Sequence, residues 1–249
     1  MSIASQLPKG YDITIVGEFL PGDEMNPQYT SQWAGAIWLG THNASAREQK
    51  MQLNGLAGLW DIAERHPESS VRKITMTEIV DYGSPNDVWY RNHSPNLELV
   101  PKSELPKGAN YGLRYSTVIL TPPVFLPWMR KTLEARGVMF KRMRVKALAD
   151  LKGMGHDVLI NATNAGAMSL LDVQEKHLVP VKQQNIRIRN EKYNKLYIRR
   201  GHNGYYSTAF ARHDGTVYIG GIKTEGKTDV EPNLELRDVV SAKERMSRI

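Results

Sequence analysis

The chain has 249 residues, 41% hydrophobic and 24% charged, with 33 Lys and Arg against 26 Asp and Glu for a net charge of +7. This is the composition of an ordinary globular protein, long enough for one large domain or two modest ones. The absence of cysteine excludes disulfides, thiolate metal sites and a cysteine nucleophile, no apolar run approaches the roughly 18 residues of a membrane span, and residues 1–10 lack the basic start and apolar stretch of a secretory signal.

Residues 2–7 read as the end of a helix, with Ile3, Ala4 and Leu7 on one face and Pro8-Lys9-Gly10 as its stop. Residues 11–16 (YDITIV) read as a strand followed by an acid, Glu18. A helix end, a short strand and an acid in that order look like the second half of a dinucleotide-binding βαβ unit. Residues 45–65 form a helix with Leu56, Leu59, Trp60 and Ala63 at the spacing of a buried stripe, ended by His66-Pro67. Residues 82–112, rich in Pro, Asn, Ser and Gly, are mostly loop. A strand at 116–120 leads to Pro122-Pro123, which opens a helix because proline is tolerated in a first turn. That helix shows Leu126, Met129 and Leu133 on one side and closes at Gly137. Residues 138–145 alternate apolar and basic as a strand, and 157–160 (DVLI) read as a short strand buried on both faces. Strands follow at 185–189, 196–200 and 216–222. The expected fold is α/β, a nucleotide-binding sheet interleaved with a mixed sheet.

The basic residues cluster. Arg130, Lys131, Arg136, Lys141, Arg142, Arg144 and Lys146 form one group, and Lys182, Arg187, Arg189, Lys192, Lys195, Arg199 and Arg200 another. Such stripes can be the footprint of a nucleic-acid binder. Solvated helix faces and strand edges are the favoured reading, because no base-stacking motif or zinc finger accompanies them.

Several separated blocks stand in the order of one family. These are Leu20-Pro21-Gly22-Asp23 with residues 29–38 (YTSQWAGAIW), Pro67-Glu68-Ser69-Ser70, Leu105-Pro106-Lys107-Gly108, Thr121-Pro122-Pro123 with Leu126-Pro127-Trp128-Met129, Asn161-Ala162-Thr163 and Ile219-Gly220-Gly221. Together they resemble the D-amino-acid oxidases, flavoproteins that bind FAD, with the fungal members nearest in character. The resemblance implies an incomplete Rossmann-like FAD-binding sheet (1–38 and 122–185) and a mixed-sheet substrate-binding domain (39–121 and 186–249). It implies oxidation of a D-amino acid to an imino acid that hydrolyses to a 2-keto acid and ammonia, with oxygen reoxidising the flavin to give hydrogen peroxide. The flavin carries the hydride transfer, so no acid–base constellation is needed from the protein. An intracellular setting, peroxisomal or cytoplasmic, goes with it, as does a possible homodimer.

Carried over residue by residue, the resemblance gives the adenosine ribose hydroxyls to Glu18. Thr30, Ser31, Ala34 and Gly35 fall along the pyrophosphate and flavin ring, where small residues permit close approach and hydroxyls can meet phosphate oxygens. Val145 is placed at the adenine, with a plain core valine as the equal alternative. Thr163 and Asn164 follow a strand, the place where open α/β sheets hold ligands. Trp33 and Trp38 read as packing residues. Asn164 stands where the family commonly has glycine, and asparagine tolerates the left-handed conformation better than most residues. Tyr205 resembles the first of two active-site tyrosines, with a plain strand-face aromatic as the nearly equal alternative. Thr208 or Ala209 falls at the second, and Gln183 replaces the glycine of an Arg-Gly-Gln triplet.

The family's Gly-rich turn and its strand are expected before Met1, and its carboxylate-binding arginine beyond Ile249, with Arg237, Arg245 and Arg248 not matching that motif. The chain as it stands is therefore expected to be inactive, with a non-catalytic remnant that binds neither FAD nor substrate as the alternative. The closing Ser247-Arg248-Ile249 resembles a peroxisomal tripeptide only by coincidence, having isoleucine where leucine is expected.

Overall fold

The computed structural model describes residues 1–236, so Arg237, Arg245, Arg248 and the closing tripeptide lie outside the described residues. In chain order the elements are α1 (Ser2–Gln6), β1 (Thr14–Gly17), α2 (Ala46–Arg65), β2 (Arg72–Val80), β3 (Glu98–Leu99), β4 (Tyr111–Ile119), α3 (Pro122–Glu134), β5 (Met139–Arg142), β6 (Val181–Arg189), β7 (Leu196–Arg200), β8 (Tyr206–Ala211) and β9 (Thr216–Glu225), with short 3₁₀ turns between them. They divide into two compact units. The first holds residues 1–32, 126–182 and 223–230, and the second 33–125, 183–222 and the described residues from 231. Residues 33–38, 122–125 and 183–185 thus lie in the second unit and 223–230 in the first.

The first unit is built on a two-stranded parallel sheet, β1 beside β5, in register from Thr14–Met139 to Gly17–Arg142. The strand starts at Thr14 rather than at residue 11 because its partner's ladder begins at Met139. The helix α3 ends as Gly137 implies. Gly137, at φ +90°, donates to the Glu134 carbonyl and Val138 to that of Leu133, which satisfies two of the last carbonyls. This turn brings Leu133 and Val138 together with Ala4, and Ile13, Ile15, Met129 and Phe140 pack around them. The basic residues here act as clamps: Arg136 donates to the Ser5 and Leu7 carbonyls and Arg130 to that of Pro21.

One expectation is overturned. Residues 157–160 form no strand, and Val158 is 76% and Ile160 49% exposed. A strand buried on both faces needs neighbours to pair with. The only strands of this sheet among the described residues are β1 and β5, so the backbone of 157–160 has no ladder to join and its apolar side chains no layer to enter.

The second unit carries a seven-stranded mixed sheet in the order β3-β4-β2-β7-β8-β9-β6. Strands β4 and β2 are antiparallel, β2 and β7 parallel, and β7, β8 and β9 antiparallel in turn. The nine-residue β2 had no counterpart in the sequence-based expectations. Its inward face runs Ile74, Met76, Glu78, Val80, all buried, and the acid in that apolar row breaks the alternation that would mark a strand. Helix α2 begins at a reciprocal cap, in which the Ser45 hydroxyl accepts from the Glu48 N–H while the Glu48 carboxylate accepts from the Ser45 N–H. Trp38 is buried and donates from Nε1 to the Gln52 carbonyl at 2.8 Å. Trp33 is 41% exposed.

Candidate functional site

In the first unit, Glu18 follows β1 and Val145 lies beyond β5, two strands that run parallel and end side by side. The Met143 N–H continues the ladder to the Gly17 carbonyl at 3.0 Å, and Arg144 Nε stands 3.7 Å from a Glu18 carboxylate oxygen. The Glu18 side chain remains open to solvent, at the carboxyl end of a parallel strand, where it can accept hydrogen bonds from hydroxyls. Asp23 is the structural acid of this corner. Its two oxygens face the Arg142 guanidinium at 2.5 and 2.7 Å, and Oδ2 also accepts the Leu20 N–H. The hydrogen bonds from Arg142, and then that from Leu20, hold its carboxyl down at about 2.

Thr30 and Ser31 lie on a 3₁₀ turn, Thr30–Trp33, with their side chains exposed. The residue that fixes the turn is one the sequence did not single out. Gln32, buried, accepts the Asn26 N–H at 3.1 Å and donates to the Asp23 carbonyl at 3.0 Å. Thr163 and Asn164 form a separate turn, in which Asn161 Oδ1 accepts both the Thr163 N–H and its hydroxyl. Asn164 sits at φ +50°, the left-handed conformation that glycine would take there. Both residues are exposed.

In the second unit, Ala34 and Gly35 precede a stretch that runs beside β4, with Ala36 and Leu120 exchanging hydrogen bonds at 3.3 and 3.0 Å. A Cβ at Gly35 would stand 3.4 Å from Phe210 Cζ, so a larger residue would press on that ring. Tyr205 lies just before β8, its N–H on the His202 carbonyl and its ring side against Gly201, where a Cβ would come within 2.9 Å of the tyrosine. The structure does not bring Tyr205 and Gly35 together. Tyr205 precedes the first residue of β8 and Phe210 is near its last, a separation of roughly 15–20 Å at 3.3 Å per residue. Thr208 and Ala209 are buried in β8, and neither offers a phenol at the place of a second tyrosine.

The most elaborate polar cluster in the second unit surrounds Glu78, which has 0% exposure. Its carboxylate accepts from Arg200 Nε at 2.6 Å, from the Tyr90 hydroxyl at 2.8 Å and from the Tyr115 hydroxyl at 3.0 Å, and His42 Nε2 lies 3.7 Å away. Burial alone would raise the carboxyl, but the nearby His42 imidazole and the Arg200 charge outweigh it and hold it below the ordinary range. Burial, then the Glu78 charge, pushes Tyr90 and Tyr115 well up and Tyr111 to about 12. The neighbouring Arg199 is likewise matched, with Nε 3.0 Å from Asp81. Both arginines near Tyr205 are thus spoken for by carboxylates.

In the first unit, the Glu18 carboxylate, open at the end of a parallel strand, is of the kind that suits the hydroxyls of a nucleotide. The family model described as FAD dependent oxidoreductase, DAO, matches residues 1–248. The chain belongs to this family of FAD-dependent oxidoreductases. It is similar to a D-amino-acid oxidase of Fusarium vanettenii, with 24% identity over 90% of this chain and 68% of that protein. A D-aspartate oxidase of Talaromyces thermophilus is 25% identical over 90% of this chain and 65% of that protein. The chain spans about two thirds of the length of these relatives. Among solved structures, glycine oxidase from Geobacillus kaustophilus superimposes with a TM-score of 0.63 at 15% identity, covering 94% of this chain and 79% of that one, a likeness of fold.

Proposed function

We propose that the protein oxidises a D-amino acid with FAD, giving an imino acid that hydrolyses to a 2-keto acid and ammonia while oxygen is reduced to hydrogen peroxide. The observation that carries this reading is the similarity to D-amino-acid and D-aspartate oxidases along nine-tenths of the chain. When bound, the flavin accepts the hydride from the substrate α-carbon. The protein's own residues bind and orient. Glu18 would accept ribose hydroxyls, Val145 would lie at the adenine, and Thr30, Ser31, Ala34, Gly35, Thr163 and Asn164 would line the phosphates and ring. Residues 1–38 and 122–185 are the proposed cofactor part and 39–121 and 186–249 the substrate part, with Tyr205 proposed as a substrate contact. The setting, peroxisomal or cytoplasmic, rests on the same resemblance. Among the described residues no helix is long and apolar enough to cross a membrane.

A second reading, a chain that holds neither FAD nor substrate, is favoured by the exposed, unpaired run at 157–160 and by Thr208 and Ala209 at the second tyrosine's place. Purifying the protein with added FAD and recording its visible spectrum separates the two. A retained flavin band with peroxide released on adding D-alanine or D-aspartate supports the oxidase, and a colourless folded protein refutes it.

A further inference from the structure

Arg212, immediately after β8, is 3% exposed and forms no ion pair among the described residues, unlike Arg199 and Arg200. Its Nε donates to the Gly35 carbonyl at 2.9 Å and its Nη2 to the carbonyl of Ala34. Nη1 has no hydrogen-bond partner. The guanidinium lies 3.7 Å from the centroid of the Tyr218 ring, which stacks on Phe210, the ring that also borders Gly35. Burial lowers the pKa of Arg212 from its ordinary value, yet an arginine so basic stays charged.

A buried guanidinium with no carboxylate in direct contact is costly unless its charge is used. One planar fork holding two successive carbonyls fixes the peptide planes to which they belong. The Ala34–Gly35 peptide is trans, so the Gly35 N–H points away from the carbonyl that Arg212 holds, and that N–H makes no hydrogen bond among the described residues. A cationic donor on the carbonyl also draws electron density through the amide, making the N–H on its far side a stronger hydrogen-bond donor.

We propose that Arg212 is a positioning residue for the flavin, clamping Ala34 and Gly35 so that the Gly35 N–H is presented as a polarised donor to an electron-rich atom of the cofactor. The inference rests on the FAD reading above and assigns the buried charge, which Asp214 meets only at longer range, a use: it raises the potential around the segment along which the flavin is proposed to lie. The test is FAD titration of the full chain followed by flavin fluorescence and visible absorption, with thermal melting as the check on folding. Arg212→Met is expected to weaken FAD binding at least about tenfold, the scale of a lost charge-assisted hydrogen bond, and to displace the flavin absorption bands. Arg212→Lys, which keeps the charge but not the fork, is expected to fall between. A folded R212M with the parent's affinity and spectrum overturns the proposal; if R212M does not fold, the same result from R212K overturns it. A parent protein that binds no FAD sinks the cofactor reading itself, and this inference with it, so the two failures are told apart.

Discussion

In the second unit a carboxylate sits inside the sheet, enclosed by two phenols, a guanidinium and an imidazole. The first unit leaves Val158, Leu159 and Ile160 facing water. Composition would suggest the reverse, an acid outside and a run of aliphatics inside. The difference lies in the width of the two sheets. A central strand of seven has flanking strands that can send hydroxyl and guanidinium donors to one point. A pair of strands has neither the layer to cover an apolar segment nor the ladder to satisfy its backbone. Burial here follows from what a strand has beside it, more than from what it is made of.

The largest expected effect falls on the enclosed acid. Glu78→Gln leaves Arg200 buried without its counter-charge and should cost about 3–5 kcal/mol in urea unfolding; a loss under about 1 kcal/mol would show that the cluster does not hold the sheet. In the first unit, Leu133→Ala should cost about 2–3 kcal/mol, at the low end for a core leucine because so small a core can collapse into the gap. An effect equal to that of Glu78→Gln would erase the contrast. Acid should act next. The folded Asp23 value of about 2 lies below its ordinary 3.8, so its stabilisation is complete above the ordinary value and is lost as pH falls through about 2. Replacing Arg142 with Met should remove that part of the acid dependence, seen as a flatter melting temperature between about pH 4 and pH 2. The smallest effect is expected at Ile160→Lys, within about 0.5 kcal/mol because the side chain is already solvated. A loss of several kcal/mol there would mean that something covers the segment in solution.

The elements legible in the sequence are those whose signals are local. The His66-Pro67 stop and the Gly137 stop are written in one or two residues, and helices α2 and α3 end beside them. The left-handed Asn164 was also readable, since its side chain suits the backbone that glycine would otherwise supply. Long-range arrangements were not. Strand β2 hid because Glu78 occupies an apolar position, and only Tyr90, Tyr115 and Arg200, brought in from three other segments, make that tolerable. The run at 157–160 misled for the opposite reason, since apolarity announces burial without saying whether a neighbour exists. Gln183 looked like a disruption where the family has glycine. It lies in β6, and its side chain occupies the space beside Gly221, where a Cβ would come within 3.2 Å of Gln183 Nε2. A glycine on one strand has made room for the glutamine on another. Arg212 was passed over because nothing in an isolated arginine tells which carbonyls it will find.

The parallel pairing of β2 with β7 has a further consequence. Met76 lies opposite Leu196, 120 positions later in the chain, and β7 is the strand that joins β2 and β4 to β8 and β9. During synthesis on the ribosome, β2 and β4 therefore wait with one edge open until most of the polypeptide has emerged. A topology of such high contact order folds slowly, and the waiting edge is where a nascent chain of this protein would meet chaperones or other nascent chains.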